Sequence, residues 1–167
     1  MSHPVATEER PVEHGDALNM LRTFIAEAPG PEAAAQRVVE ELHDRFGHYD
    51  WVGIYWVDAN GTDLVLGPWI GPEATEHTRI PIGTGICGAA AASGQTEIVA
   101  DVNEDPRYLA CFATTRSEIV VPIFADGAVV GEIDIDGSDA NAYDDTDARF
   151  LEEVAALLAP LRPRHDA

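Results

Sequence analysis

The chain has no lysine, only two cysteines and no apolar run long enough to cross a membrane. Each lack excludes something. All ten basic residues are arginine and they face 30 acidic ones, for a formal net charge of −20. Nucleic acid and anionic membrane both need a basic face, so neither is expected as a partner. A span of the bilayer needs about 20 apolar residues in a row, and none occurs. Residues 1–16 carry neither a basic stretch nor an apolar core, so no export signal is read there and a cytoplasmic protein is expected. Two cysteines cannot build a disulfide scaffold, and their spacing fits no zinc pattern, so no metal site is expected and both are read as reduced thiols. The acidity has two readings of equal standing: a solvated surface, or adaptation to high salt.

What remains is the composition of one globular domain: 167 residues, 46% hydrophobic and 24% charged. Residues 1–14 lack periodicity and are read as a mobile N-terminal tail. Residues 15–160 form the single domain, and 161–167 a C-terminal tail. Asp16 is placed to cap a first helix through Leu18, Leu21, Phe24 and Ile25. Pro31 opens a second helix that stops at Gly47. Trp51 to Val57 reads as a strand, Asn60-Gly61 as a turn and Leu64 to Leu66 as the returning strand. Arg79 to Ile82 is a short strand with Pro81 marking an edge. An Ala-rich helix follows Gly83-Thr84-Gly85 and ends near Gly94, with a strand from Thr96 to Val99. Ile119 to Phe124 and Ala128 to Asp136 form a hairpin around Asp126-Gly127, and Asp144 caps the last helix. Hairpins dominate and no βαβ unit is visible, so the class is α+β: an antiparallel sheet with helices packed on it.

Several residues offer chemistry. Cys111 lies in a long loop, residues 100–117, with Arg107 and Arg116 near in sequence. A cation beside a thiol favours the thiolate, the nucleophilic form. Cys87 sits among small helical residues, where a thiol packs like alanine. Gly131-Glu132-Ile133-Asp134-Ile135-Asp136 alternates strictly, so in a strand the three acids share one face. A solvent-washed polar face accounts for that as simply as a site does. Gathered together, the acids would bind an ammonium group or hold one carboxyl protonated. Closure of the hairpin at Asp126-Gly127 brings Glu118 beside Asp134 or Asp136. Trp51 and Tyr55 flank Gly53 on one strand face, as a small apolar cup or as ordinary core. The Gly83 to Gly88 helix start presents backbone N–H groups to a carboxylate or phosphate, a weak signal alone.

The segments Leu64-Val65-Leu66-Gly67-Pro68, Arg79-Ile80-Pro81-Ile82-Gly83-Thr84-Gly85-Ile86-Cys87-Gly88, Ala110-Cys111, Ser117-Glu118-Ile119-Val120-Val121-Pro122 and Ile133-Asp134-Ile135-Asp136 occur in this order. Together they resemble the free methionine-(R)-sulfoxide reductases, built on the GAF fold. The resemblance runs from about residue 16 to residue 158. It implies a six-stranded antiparallel sheet, a homodimer, no bound cofactor, and recycling by a thioredoxin-type reductant. It makes Cys111 the catalytic cysteine, and Glu118, Asp134 and Asp136 the carboxylates that hold and polarise substrate. Trp51 and Tyr55 become the wall around the substrate methyl group, and Cys87 one of two further cysteines. A third cysteine is usual ten residues before Cys87, and here that position is His77. Either Cys87 resolves the oxidised enzyme, or an external thiol does, or the pocket outlived the activity. A ligand-sensing GAF module and a redox-sensing thiol pair are the other readings.

Overall fold

A computed structural model describes residues 9–110 and 112–165. Helix α1 (Glu9–Glu27) and helix α2 (Pro31–Arg45) precede strands β1 (Trp51–Val57), β2 (Asp63–Ile70) and β3 (Arg79–Pro81). Helix α3 (Gly85–Ser93), strand β4 (Glu97–Val99), strands β5 (Ser117–Ala125) and β6 (Ala128–Gly137) and helix α4 (Asp145–Leu158) follow. The six strands form one sheet, in the order β3-β2-β1-β6-β5-β4, with every neighbouring pair antiparallel. Among the described residues no helix is long and apolar enough to cross a membrane.

Alternation along the strands sorts side chains onto two faces. Val52, Ile54, Ile119, Val121, Ile133 and Ile135 point to one, where Val38, Val39, Leu42, Leu151, Val154 and Leu158 cover them. Each such aliphatic side chain contributes roughly 1.5–3 kcal/mol by leaving water. The opposite face carries Trp51, Tyr55 and Val120 under Ile86, Cys87 and Ala90 of α3. The sheet therefore has a second cover, and its polar face is not open to solvent.

Local chemistry sets the element ends. At the β5–β6 turn Asp126 and Gly127 both have positive φ, 53° and 79°, the conformation an Asp-Gly pair tolerates best. Gly94 ends α3 in the left-handed conformation. Asp144 caps α4 by accepting from Thr146 and Asp147 N–H, while the Asp147 carboxylate takes the Asp144 N–H. Tyr49 Oη donates to buried Asp147 at 2.7 Å, tying that cap to the chain entering β1.

Two boundaries correct the sequence reading. The helix begins at Glu9, so residues 9–14 belong to α1 and not to a tail, and Asp16 lies inside it. His14 anchors this turn, buried, stacked on Phe150 at 4.2 Å and edge-on to Phe46 at 5.5 Å, contacts that leave no periodic trace. At the other end Leu161 closes a short 3₁₀ turn, Ala159–Leu161, and His165 lies 3.3 Å from the Val57 carbonyl oxygen. Strand β2 also runs on through Gly67-Pro68 to Ile70, because a bulge opposite Gly53 and Tyr55 absorbs the extra residue.

Candidate active site

Register builds the floor. Trp51 pairs with Asp136, Gly53 with Asp134 and Tyr55 with Glu132 across β1–β6. Across β5–β6, Asp136 pairs with Glu118, Asp134 with Val120 and Glu132 with Pro122. One row is therefore Trp51–Asp136–Glu118, the next Gly53–Asp134–Val120. Directly opposed side chains in a sheet have Cβ atoms about 5 Å apart, so four carboxyls share one patch. All are buried: Glu132 is 0% exposed, Asp134 and Asp136 4%, Glu118 5%. The alternating acids of β6 thus form a site floor and not a solvated face.

The aromatic wall depends on glycine. A Cβ on Gly53 would lie 2.3 Å from the Trp51 ring, and one on Gly71 also 2.3 Å from it. The indole lies between these two backbones, with Trp69 stacked at 6.1 Å and Phe112 tilted at 5.8 Å. Its Nε1 is buried without a hydrogen-bond partner among the described residues. Tyr55 Oη donates to the His77 carbonyl at 2.7 Å and so fastens the 71–78 segment over the floor.

The roof comes from α3 and the loop before β5. Cys87 and Ile86 descend from α3; Tyr108 and Leu109 come from the loop; His77 closes the side. Gly85 adopts φ +69°, and a Cβ there would meet Leu109 at 2.9 Å. The enclosed cavity measures about 20 Å³. That admits about one water and is smaller than an amino acid. A much larger cleft, about 1230 Å³, runs along the start of α2, Trp56 and Pro160–His165, and contains no thiol.

Electrostatics follow from burial. Glu118, Glu132 and Asp136 are pushed well above the ordinary carboxyl range, first by burial and then by the Asp134 charge. The neighbouring Asp134 and Asp136 raise Glu118 further, and Glu118 in turn favours their ionised forms. Asp134 is raised by burial, while Glu118 and the Cys87 thiol favour its ionised form. Asp134 is therefore the member most ready to carry charge, and Glu118 the one that keeps a proton. The Cys87 thiol is pushed well up by burial, then by Asp134, Glu132, Glu118 and Asp136. It also lies near Glu132, but neither Glu132 oxygen has a formed hydrogen bond among the described residues.

The structure thus brings Cys87, Glu118, Asp134, Asp136, Trp51 and Tyr55 to one place. Cys111 lies outside the described residues; its neighbour Ala110 places its carbonyl oxygen 3.4 Å from His77 Nε2. The arginines expected to favour a thiolate are engaged elsewhere. Arg107 pairs with Asp105 and Glu97, and Arg116 with Asp101, all near the surface. Glu132 is the most deeply buried acid of the floor, and its place in the β6 alternation was its sequence signal. Tyr108, Leu109 and Phe112 left none, because a loop has no period.

Residues 30–160 match the GAF domain family. A free methionine-R-sulfoxide reductase of Escherichia coli is 35% identical over 117 residues, 70% of this chain and 68% of its own length. The one from Saccharomyces cerevisiae is 44% identical over 111 residues, 65% of this chain and 61% of its own. The crystal structure of the free methionine-R-sulfoxide reductase of Neisseria meningitidis in complex with its substrate superposes with a TM-score of 0.85 at 37% identity. That alignment covers 96% of this chain and 94% of the other. The chain belongs to the free methionine-R-sulfoxide reductases of the GAF family. The six-stranded antiparallel sheet read from the sequence is the fold of this reductase family. His77 borders the pocket, with its carbonyl accepting from Tyr55 Oη and its ring 3.4 Å from the Ala110 carbonyl oxygen.

Proposed function

We propose that the chain reduces free L-methionine (R)-sulfoxide to methionine. The observation that carries this reading is the row Trp51–Asp136–Glu118 beside Gly53–Asp134: an aromatic wall and a proton-holding acid on one buried sheet face. The substrate methyl group packs on Trp51 and Tyr55, and its ammonium group meets Asp134 and Asp136. Protonated Glu118 polarises the S=O oxygen. Cys111 attacks sulfur, the S–O bond breaks, oxygen passes to the cysteine as sulfenic acid, and methionine leaves. Cys87 then condenses with the sulfenic acid, releasing water and forming a disulfide. A thioredoxin-type dithiol reopens it. The chemistry needs thiols and carboxyls only, with no bound cofactor, in a cytoplasmic homodimer.

The test is a single turnover. Reduced protein is mixed with each epimer of free methionine sulfoxide without a recycling partner, and methionine and remaining thiols are counted. One methionine per chain from the R epimer alone, with two thiols lost, is the expected result. One thiol lost would assign resolution to an outside thiol. No methionine from either epimer, in folded protein at low and high salt, would overturn the reading in favour of a ligand-sensing module.

A further inference from the structure

The pocket holds a second kind of site. We propose that Cys87 Sγ, one oxygen of Glu118 and one of Asp134 bind a Zn²⁺ ion that shuts the pocket. These three ligand atoms lie within 4.8 Å of one another and all three residues are buried. Tetrahedral zinc, with Zn–S near 2.3 Å and Zn–O near 2.1 Å, places its ligand atoms about 3.5 Å apart, within the span these three atoms occupy. The ligands stand on α3, β5 and β6, three fixed elements and not a loop.

Independent observations call for a cation. Asp134 Oδ1 is buried with no hydrogen-bond partner among the described residues, and both oxygens of Glu132 beside it are in the same condition. Asp136 Oδ1 adds a third such residue. A buried carboxyl without a partner costs several kcal/mol when ionised. Arginine does not supply the charge: Arg79 pairs with Asp58 and Asp63, and Arg107 and Arg116 are engaged as above. The cavity has room for one water, which suits an ion with one open position and no larger ligand.

The donor set selects the metal. Magnesium and calcium take oxygen only, and copper(I) prefers an all-sulfur set; one thiolate with two carboxylates suits zinc. Zinc binds the thiolate and both carboxylates, so the protons held by Cys87 and Glu118 leave to solvent. The ion is redox-inert. While it stays, Cys87 cannot form a disulfide and Glu118 and Asp134 cannot meet an amino acid. The site rests on geometry alone; its effect on turnover rests on the reductase reading.

The experiment is a Co²⁺ titration of reduced, metal-stripped full-length protein, followed by displacement with Zn²⁺. The expected result is one Co²⁺ per chain with a thiolate-to-metal absorption band in the near ultraviolet. The band should survive in Cys111→Ser and vanish in Cys87→Ser. Asp134→Asn, checked for folding by circular dichroism, should weaken binding at least about tenfold. No band in the parent protein would overturn the site. So would a band lost with Cys111 and kept without Cys87. Methionine formed in a single turnover should fall with bound Zn²⁺ and return with a chelator. A protein that shows the band but forms no methionine when metal-free would retain the zinc site and sink the reductase reading.

Discussion

Glu118 stands directly opposite Asp136 across the β5–β6 hairpin, and both carboxyls are almost wholly buried. Burial and the nearby Asp134 charge push both well above the ordinary carboxyl range, which favours a proton on the pair. A protonated carboxyl is the donor that sulfoxide polarisation needs. The site obtains it from burial and like charge alone.

Glu118→Gln keeps the shape and removes the transferable proton. Turnover of free methionine (R)-sulfoxide should fall by about 10²–10⁴-fold. Binding of methionine should change far less. Unchanged kcat in that variant would assign the proton to another group.

Cys87→Ser should leave the first turnover intact, with one methionine per chain. In the parent protein, loss of the second thiol should be slow at neutral pH and accelerate as pH rises. The Cys87 thiol is pushed well up, and only the thiolate attacks sulfur. Stopped-flow thiol counting at several pH values checks this; a rate flat with pH would exclude Cys87 as the resolver.

Glu132→Met should stabilise the protein. The folded carboxyl sits well above its ordinary value of 4.5, so its stabilising proton is fully held below that value and lost as pH rises through the folded pKa. The gain over the parent should therefore grow with pH, towards about 1–3 kcal/mol. In a domain of this size that is about 2–4 °C in Tm per kcal/mol. Thermal melts at pH 5 and pH 8 compare the two.

Asp147→Asn should destabilise. Burial raises this carboxyl, but the hydrogen bonds from His48, Tyr49 and the Asp144 N–H outweigh it and hold it below 3.8. A depressed carboxyl contributes its stability above the unfolded pKa and loses it as pH falls through the folded one. The variant should cost roughly 1.5–3 kcal/mol at neutral pH, and its deficit should shrink below about pH 4. Urea midpoints across that range measure it.

Much of this was legible in the sequence, for local reasons. The β-branched run from Trp51 to Val57 is β1 to the residue, and Asp126-Gly127 closes the hairpin that sets Glu118 against Asp136. The burial of the β6 acids was not legible. Alternation looks the same whether the second face meets water or α3, and only long-range packing decides it. The pairing of Arg107 with Glu97 was hidden for the same reason, as was the helical start at Glu9, where His14 packs on Phe150 and Phe46.

The bond from Tyr55 Oη to the His77 carbonyl joins the floor of the pocket to its rim. The link uses a main-chain carbonyl, so it survives any substitution of the His77 side chain. Removing one phenolic oxygen, in Tyr55→Phe, frees that rim from the sheet without touching an atom that reacts, and hydrogen exchange of the amides around His77 should quicken.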